Sequence, residues 1–215
     1  MQQMQKLFVM GFVAASTLLA QNEIHVGIPP RTAATDYQAK AVAGEITIAA
    51  DFVGHSVPTG LNPLTNEDFV AFEAAIYGPQ GKKMPISWEH FSARINGKKM
   101  PTPSQPVGAT LRSLKDPEWV PDEPVGEKAP KGSVNAGAGG QRQPGEPPPP
   151  PPKMPFPLRR AMEQKATKVA MPEGERALPV AGLLFFQHRG KDTSIKTIEL
   201  IYNGPAGTAT LTIEQ

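Results

Sequence analysis

The stretch VAGLLFFQHR, Val180–Arg189, is apolar without interruption from Val180 to Phe186 except at Gly182. Successive side chains of a strand point to opposite faces, so alternation marks one wet face and an unbroken apolar run marks a strand covered on both. This segment is therefore predicted to be a central, buried strand. Two more strands follow it. In KTIELIY, Lys196–Tyr202, the residues Ile198, Leu200 and Tyr202 share a side. In TATLTI, Thr208–Ile213, Ala209, Leu211 and Ile213 face inward and three threonines outward. NGPAG between them reads as a short hairpin turn.

Three strands leave an apolar face in water, so partners are sought upstream. EITIAADF, Glu45–Phe52, alternates Ile46, Ile48, Ala50 and Phe52 with Thr47, Ala49 and Asp51, a strand with one wet face. FVAFEAAIYG, Phe69–Gly78, puts Val70, Phe72, Ala74 and Ile76 on one face and Glu73 on the other. HFSARINGKK, His90–Lys99, puts Phe91, Ala93 and Ile95 together. Its Asn96-Gly97 suits a type I′ turn, where both positions need positive φ. A weaker fourth strand is predicted for VGATLRSL, Val107–Leu114. Each Phe, Leu or Ile buried contributes about 1.5–3 kcal/mol, so the early and late strands are expected to share one interior. Residues 44–115 and 178–215 are the two halves of that unit, together about 110 residues against the ~100 of a seven-strand immunoglobulin-like sandwich.

Between the halves, residues 116–157 hold more than half of the chain's 25 prolines. Proline lacks a ladder donor and fixes φ, so a Pro/Gly-rich disordered insertion is expected here. Its six consecutive prolines, Pro147–Pro152, are expected to form a polyproline II rod of roughly 19 Å at ~3.1 Å per residue. A long insertion costs little, because closure entropy grows with the logarithm of loop length. Residues 158–171 read as an amphipathic helix: Leu158, Met162, Ala166 and Val169 share a face, Pro157 suits the first turn, and Pro172 and Gly174 end it.

Residues 1–20 have the layout of a signal peptide: Lys6, then an uncharged apolar run, then small residues, with cleavage expected after Ala20. The alternative is an uncleaved anchor, although the run falls short of the ~20 residues that span a bilayer. Residues 21–43 show no clear period and read as an extended leader. An exported protein, periplasmic or extracellular, is expected. There is no cysteine, which removes disulfides, thiol catalysis, cysteine-rich metal sites and lipoprotein attachment through a cysteine. A formal charge of +2 with interspersed signs does not point to nucleic acid.

Two stretches, Asp68–Lys99 (DFVAFEAAIYGPQGKKMPISWEHFSARINGKK) and Ala181–Ile213 (AGLLFFQHRGKDTSIKTIELIYNGPAGTATLTI), carry a resemblance. The first runs from a strand into a hairpin with Phe91 ahead of Ile95-Asn96-Gly97. The second sets Gly182 ahead of Phe186 and ends in Leu200-x-Tyr202-x-Gly204. Together they resemble uncharacterised secreted bacterial proteins with an immunoglobulin-like fold, over about half of the chain. The resemblance implies an extracytoplasmic β-sandwich. Its motifs are structural, and it carries over no functional residue.

Chemistry is sparse. His25, His55, His90 and His188 show no His-x-His or H-E-x-x-H spacing. Asp51, His55 and His188 could meet a metal or form an enzyme site, but surface histidines at strand ends are the expectation. Gly54-His55-Ser56 is not G-x-S-x-G. Glu45, Glu73 and Glu89 read as a solvated face, and no glycine-rich phosphate loop opens a helix. Trp88 reads as core or hairpin support. Trp119 is either a binding anchor or, as expected more often for an indole, a staple for the base of the insertion. Pro149 and Pro152 belong to a proline-rich segment with a basic flank, a ligand for aromatic grooves or a spacer. Arg159 and Arg160, with Lys165 and Lys168 against Glu163, read either as a contact for an anionic membrane or envelope polymer or as a solvated face. These features lead to an expected non-catalytic, exported module that contacts an unknown protein or envelope component through the insertion and helix. No cofactor and no small-molecule substrate are expected. A membrane-anchored spacer is the alternative, and an enzyme or metal site near His55 and His188 is the second.

Overall fold

The computed structural model describes residues 27–60, 62–120 and 153–215. The predicted signal segment, His25, Pro149 and Pro152, and residues 121–152 of the insertion lie outside the described residues. In chain order the elements are β1 Ala39–Ala43, β2 Ile46–Gly54, β3 Ser56–Val57, β4 Leu64–Asn66, β5 Phe69–Tyr77, β6 Lys83–Ile86, β7 Phe91–Ile95 and β8 Thr102–Gln105. A short helix α1 Val107–Thr110 and β9 Leu114–Lys115 follow. Then come α2 Phe156–Val169, β10 Gly174–Ala177, β11 Val180–Gln187, β12 Thr197–Gly204 and β13 Gly207–Glu214.

The protein is mainly β. Eight strands hydrogen-bond in the order β1-β2-β5-β11-β8-β7-β12-β13, every pairing antiparallel, and the sheet curls until β1 lies alongside β13. Early and late strands interleave: β11 pairs with β5 and β8, and β12 pairs with β7. Strand β8 joins the two halves by touching β11 through Phe185 and Phe186 and β7 through Ser92 and Ala93. The predicted inward residues of β2, β5, β7, β12 and β13 meet in one interior, with Leu184 and Phe186 of β11 among them. A small sheet of β3, β4 and β9 and a two-stranded pair of β6 and β10 flank the main sheet.

Strand β11 is buried at every position from Val180 to Phe186, as its sequence requires. The cover on its outer face comes from α2. Ala71, Leu183 and Phe185 pack there with Met162 and Ala166 of α2 and with Val57, Leu64 and Leu114. Helix α2 begins two residues earlier than predicted and ends at Val169, with Pro157 in its first turn. Leu158, expected on its apolar stripe, is half exposed at 51%. Asn96 and Gly97 adopt φ of 52° and 66°, and Lys98 N–H donates to Ile95 O at 3.3 Å, which closes the predicted type I′ turn.

Five expectations are corrected. Part of the leader is a strand, β1, whose residues pair with β2 from Ala39↔Ala50 to Ala43↔Ile46. The second face of β2 is not wet: Ala49 is buried with Ala75, Ala181 and Tyr37. These small alanines let residues 27–37 lie flat on the sheet. Arg31 fastens them there by ion pairs to Asp51 at 2.5 Å and Glu73 at 3.4 Å, with its guanidinium 4.2 Å above the Tyr37 ring. So Glu73 faces an arginine where a solvated face was expected. Finally, VGATLRSL is not a strand. Pro106 starts a turn of helix, and the Thr110 hydroxyl donates to Val107 O at 2.8 Å. Gly108 and Ala109 have little strand preference to oppose it. The strand in that sector is β8, at Thr102–Gln105, which takes its place, and β1 raises the main sheet from the seven expected strands to eight.

Candidate functional site

The groove of interest opens where the chain approaches and leaves the insertion. One wall is the corner between α1 and β9, and the other is the first half of α2 with Met154 ahead of it. Asn66 fixes the corner. It is buried, its Nδ2 donates to Thr110 O at 3.0 Å, and its Oδ1 accepts from Asp68 N, Phe69 N and Ser113 Oγ. Leu111 and Arg112 are held between those anchor points. Beyond β9, Asp116 O accepts from Trp119 N at 3.2 Å, and Asp116 Oδ1 accepts from Glu118 N at 3.0 Å. That turn swings the indole toward α2.

The groove has a volume of about 500 Å³, within the ~300–1,000 Å³ of ordinary ligand pockets. Leu114 and Met162, both buried, belong to its apolar lining. Leu111, Met154 and Trp119 extend it, each half-buried. Polar lining comes from Arg112, Lys115, Asp116, Arg159 and Glu163. Lys115 is paired with Glu67 at 2.5 Å, and Arg159 lies 3.6 Å from Glu163 and above the Phe156 ring at 5.6 Å. Among the described residues Arg112 has no carboxylate partner. With three cations against two acids, the lining carries a net positive charge.

Trp119 and Arg159, singled out from the sequence, meet in this groove. Arg160 is exposed and outside its lining. The contribution of Leu111, Arg112 and Leu114 was not legible, because that segment reads as a strand. Met162 carried a signal, as part of the helical stripe, but nothing in the sequence says which segment faces it.

The histidines form a second cluster. His55 and His188, 133 residues apart, come within 6.0 Å between ring centroids. His55 Nδ1 lies 2.5 Å from Asp192 Oδ1, and its Nε2 lies 3.1 Å from the carbonyl oxygen of His188. Asp192 also accepts from the His55 backbone N–H at 3.2 Å. Both ring nitrogens are thus engaged, and the ring straps the end of β2 to the loop between β11 and β12. Asp51, the third predicted partner, is committed to Arg31. Among the described residues no group of three or more His, Asp or Glu side chains could hold a metal ion. His90 stacks edge-on against Tyr202, and Trp88 packs at the margin of the main core.

The His188 ring has a buried Nε2 with no partner. Burial lowers its pKa below 6.5; nearby Lys98 and His55 add to that, and Asp192 opposes it. A depressed folded-state value means the unfolded chain takes up protons first. The stability tied to this group is complete above about pH 6.5 and falls as pH drops through the folded value. The urea midpoint is expected to decline from pH 7 toward pH 5, and His188→Leu should flatten that decline. An equal decline in both proteins would refute the assignment.

The fold and groove together define a mainly β protein with an apolar, cation-edged cleft. Comparison with known proteins finds no matching family model, no matching curated protein and no matching solved structure. Among the described residues no helix is long and apolar enough to cross a membrane.

Proposed function

We propose that this chain is a non-catalytic, exported interaction module, built as an immunoglobulin-like β body that presents the groove between the α1–β9 corner and α2 to a protein of the cell envelope. The observation that carries this reading is the convergence of Trp119, Met154 and Arg159 on one 500 Å³ apolar cleft. Indole and guanidinium groups dominate binding hot spots because they bury large area and still make directional polar contacts. The immunoglobulin-like part rests on the common interior enclosed by the two strand groups. The signal-like segment before residue 21 supports export.

The reading is tested by photo-crosslinking. A photoreactive amino acid at position 158, on exposed α2 beside the groove, is compared with one at Thr210 on the far β13. Discrete envelope-protein adducts are expected from the first position and not the second, and Trp119→Ala should reduce them at least about tenfold, the scale of a 1.4 kcal/mol contact. Identical adducts at both positions, or adducts indifferent to Trp119→Ala, would exclude the groove as the contact surface.

A further inference from the structure

We infer that the groove takes an acidic peptide segment anchored by a bulky apolar side chain; this rests on the interaction reading above and specifies its chemistry. The anchor is set by shape. Leu114 and Met162 are buried, Trp119 and Met154 stand at the sides, and no polar group of the lining belongs to a buried residue. Such a surface rewards a Leu, Phe or Met side chain and penalises a polar one left without partners.

The charge of the flanks is set by which side chains are already committed. The Asp116 carboxylate is turned into its own loop by the Glu118 N–H. Glu163 lies within ion-pair reach of Arg159 at 3.6 Å. Lys115 is held by Glu67. Arg112 is left as a guanidinium on the rim, exposed and without a carboxylate among the described residues. A carboxylate beside the anchor satisfies Arg112 bidentately. A second can share Arg159, whose contact with Glu163 is longer than a hydrogen bond. With three cations against two acids in the lining, a basic peptide meets net repulsion. The exposed Phe156 and Leu158, at 62% and 51%, continue the apolar surface along α2 in the direction a short extended or helical segment would run.

The test uses the full chain lacking only the predicted signal segment, and calorimetric titration with three synthetic dodecapeptides. One has a central Leu-Phe flanked by three Asp or Glu on each side. The second has lysine flanks, and the third has Ala-Ala at the centre. Sodium decanoate is titrated as a small amphiphilic anion. Saturable binding is expected for the first peptide alone. It should weaken at least about tenfold in Arg112→Glu and as salt rises from 50 to 300 mM, because a pair worth about 1.4 kcal/mol is lost. Trp119→Phe supplies a milder second variant, and the shift in indole emission on binding should disappear with it. Equal binding of the lysine-flanked or Ala-Ala peptide overturns the inference, as does saturation by decanoate with the first peptide silent. Absence of binding by every peptide overturns it too. Growth of a dimer with concentration that competes with the peptide would assign the groove to a second copy of the chain and also overturn it. If groove-dependent crosslinks persist while the acidic peptide fails, the ligand chemistry falls and the interaction reading stands.

Discussion

Phe186→Ala is expected to cost about 3–5 kcal/mol of folding stability. Phe186 has no exposed surface and stands edge-on to Phe72 with centroids 5.2 Å apart. Its strand belongs to the late part of the chain, and Phe72 to the early part. The ring also sits on β11 where the strand is paired on both edges, with β5 at Phe186↔Val70 and with β8 at Phe186↔Ser104. Truncation therefore opens a cavity where the two halves of the sheet are joined, and neither half can collapse into it without breaking the ladder. Urea unfolding at pH 7.5 measures the loss. Phe52→Ala is the control, since that ring also packs against Phe72 but is only half-buried. A loss below about 1.5 kcal/mol at Phe186, the scale of a mild volume-conserving swap, would show that the interior is not closed across β11.

Gly182→Val is expected to cost about 3 kcal/mol, the upper end of overpacking, and to act first on α2. A Cβ at Gly182 would lie 2.6 Å from Met171 N and 2.7 Å from Ala170 O. Those are backbone atoms and cannot rotate away. The segment after α2 completes the sheet at this point. Met171 N–H donates to Leu183 O at 2.9 Å, and Ala170 bridges Leu183 in parallel. Gly27 N–H in turn donates to Lys168 O at 2.8 Å. A side chain at position 182 lifts the C-terminal end of α2 from the sheet and loosens the groove wall that carries Met162 and Arg159. Tryptic cleavage after Lys165 and Lys168 should accelerate before global unfolding. Gly182→Ala should show the same effect in weaker form. Unchanged cleavage and an unchanged urea midpoint in both variants would disprove the close approach.

Much of the β structure was legible because its signal is local. Ile198, Leu200 and Tyr202, or Ala209, Leu211 and Ile213, identify an inward face whatever they pack against, since the strand period is two. The seven-residue burial of β11 was legible for the same reason. Errors arose where local chemistry and pattern disagreed. Val107, Ala109 and Leu111 alternate like a strand, yet Pro106 and the hydroxyl of Thr110 impose a helical turn. The leader looks patternless because Ala39, Ala41 and Ala43 are too small to stand out. They nevertheless pack on the main interior, Ala43 buried in it and Ala39 and Ala41 at its margin.

For the candidate site, Trp119 and Arg159 could be named in advance, because an indole among prolines and a basic helix are unusual by themselves. Their meeting could not be read. Forty residues separate them in the chain, and the contact depends on Asn66 holding the α1–β9 corner while α2 lies on β5 and β11. Likewise His55 and His188 were each visible, but the engagement of both His55 nitrogens emerged only from the position of Asp192.

By itself the sequence determined six strands of the main sheet, β2, β5, β7, β11, β12 and β13, and the residues each turns to the interior, since hydrophobic periodicity is a property of neighbouring residues. The tertiary structure alone decided strand order, the cover on the outer face of β11, the place of Arg31 between two carboxylates, and the groove. Those depend on which distant side chains compete for the same buried volume, a competition resolved only when the whole interior closes at once.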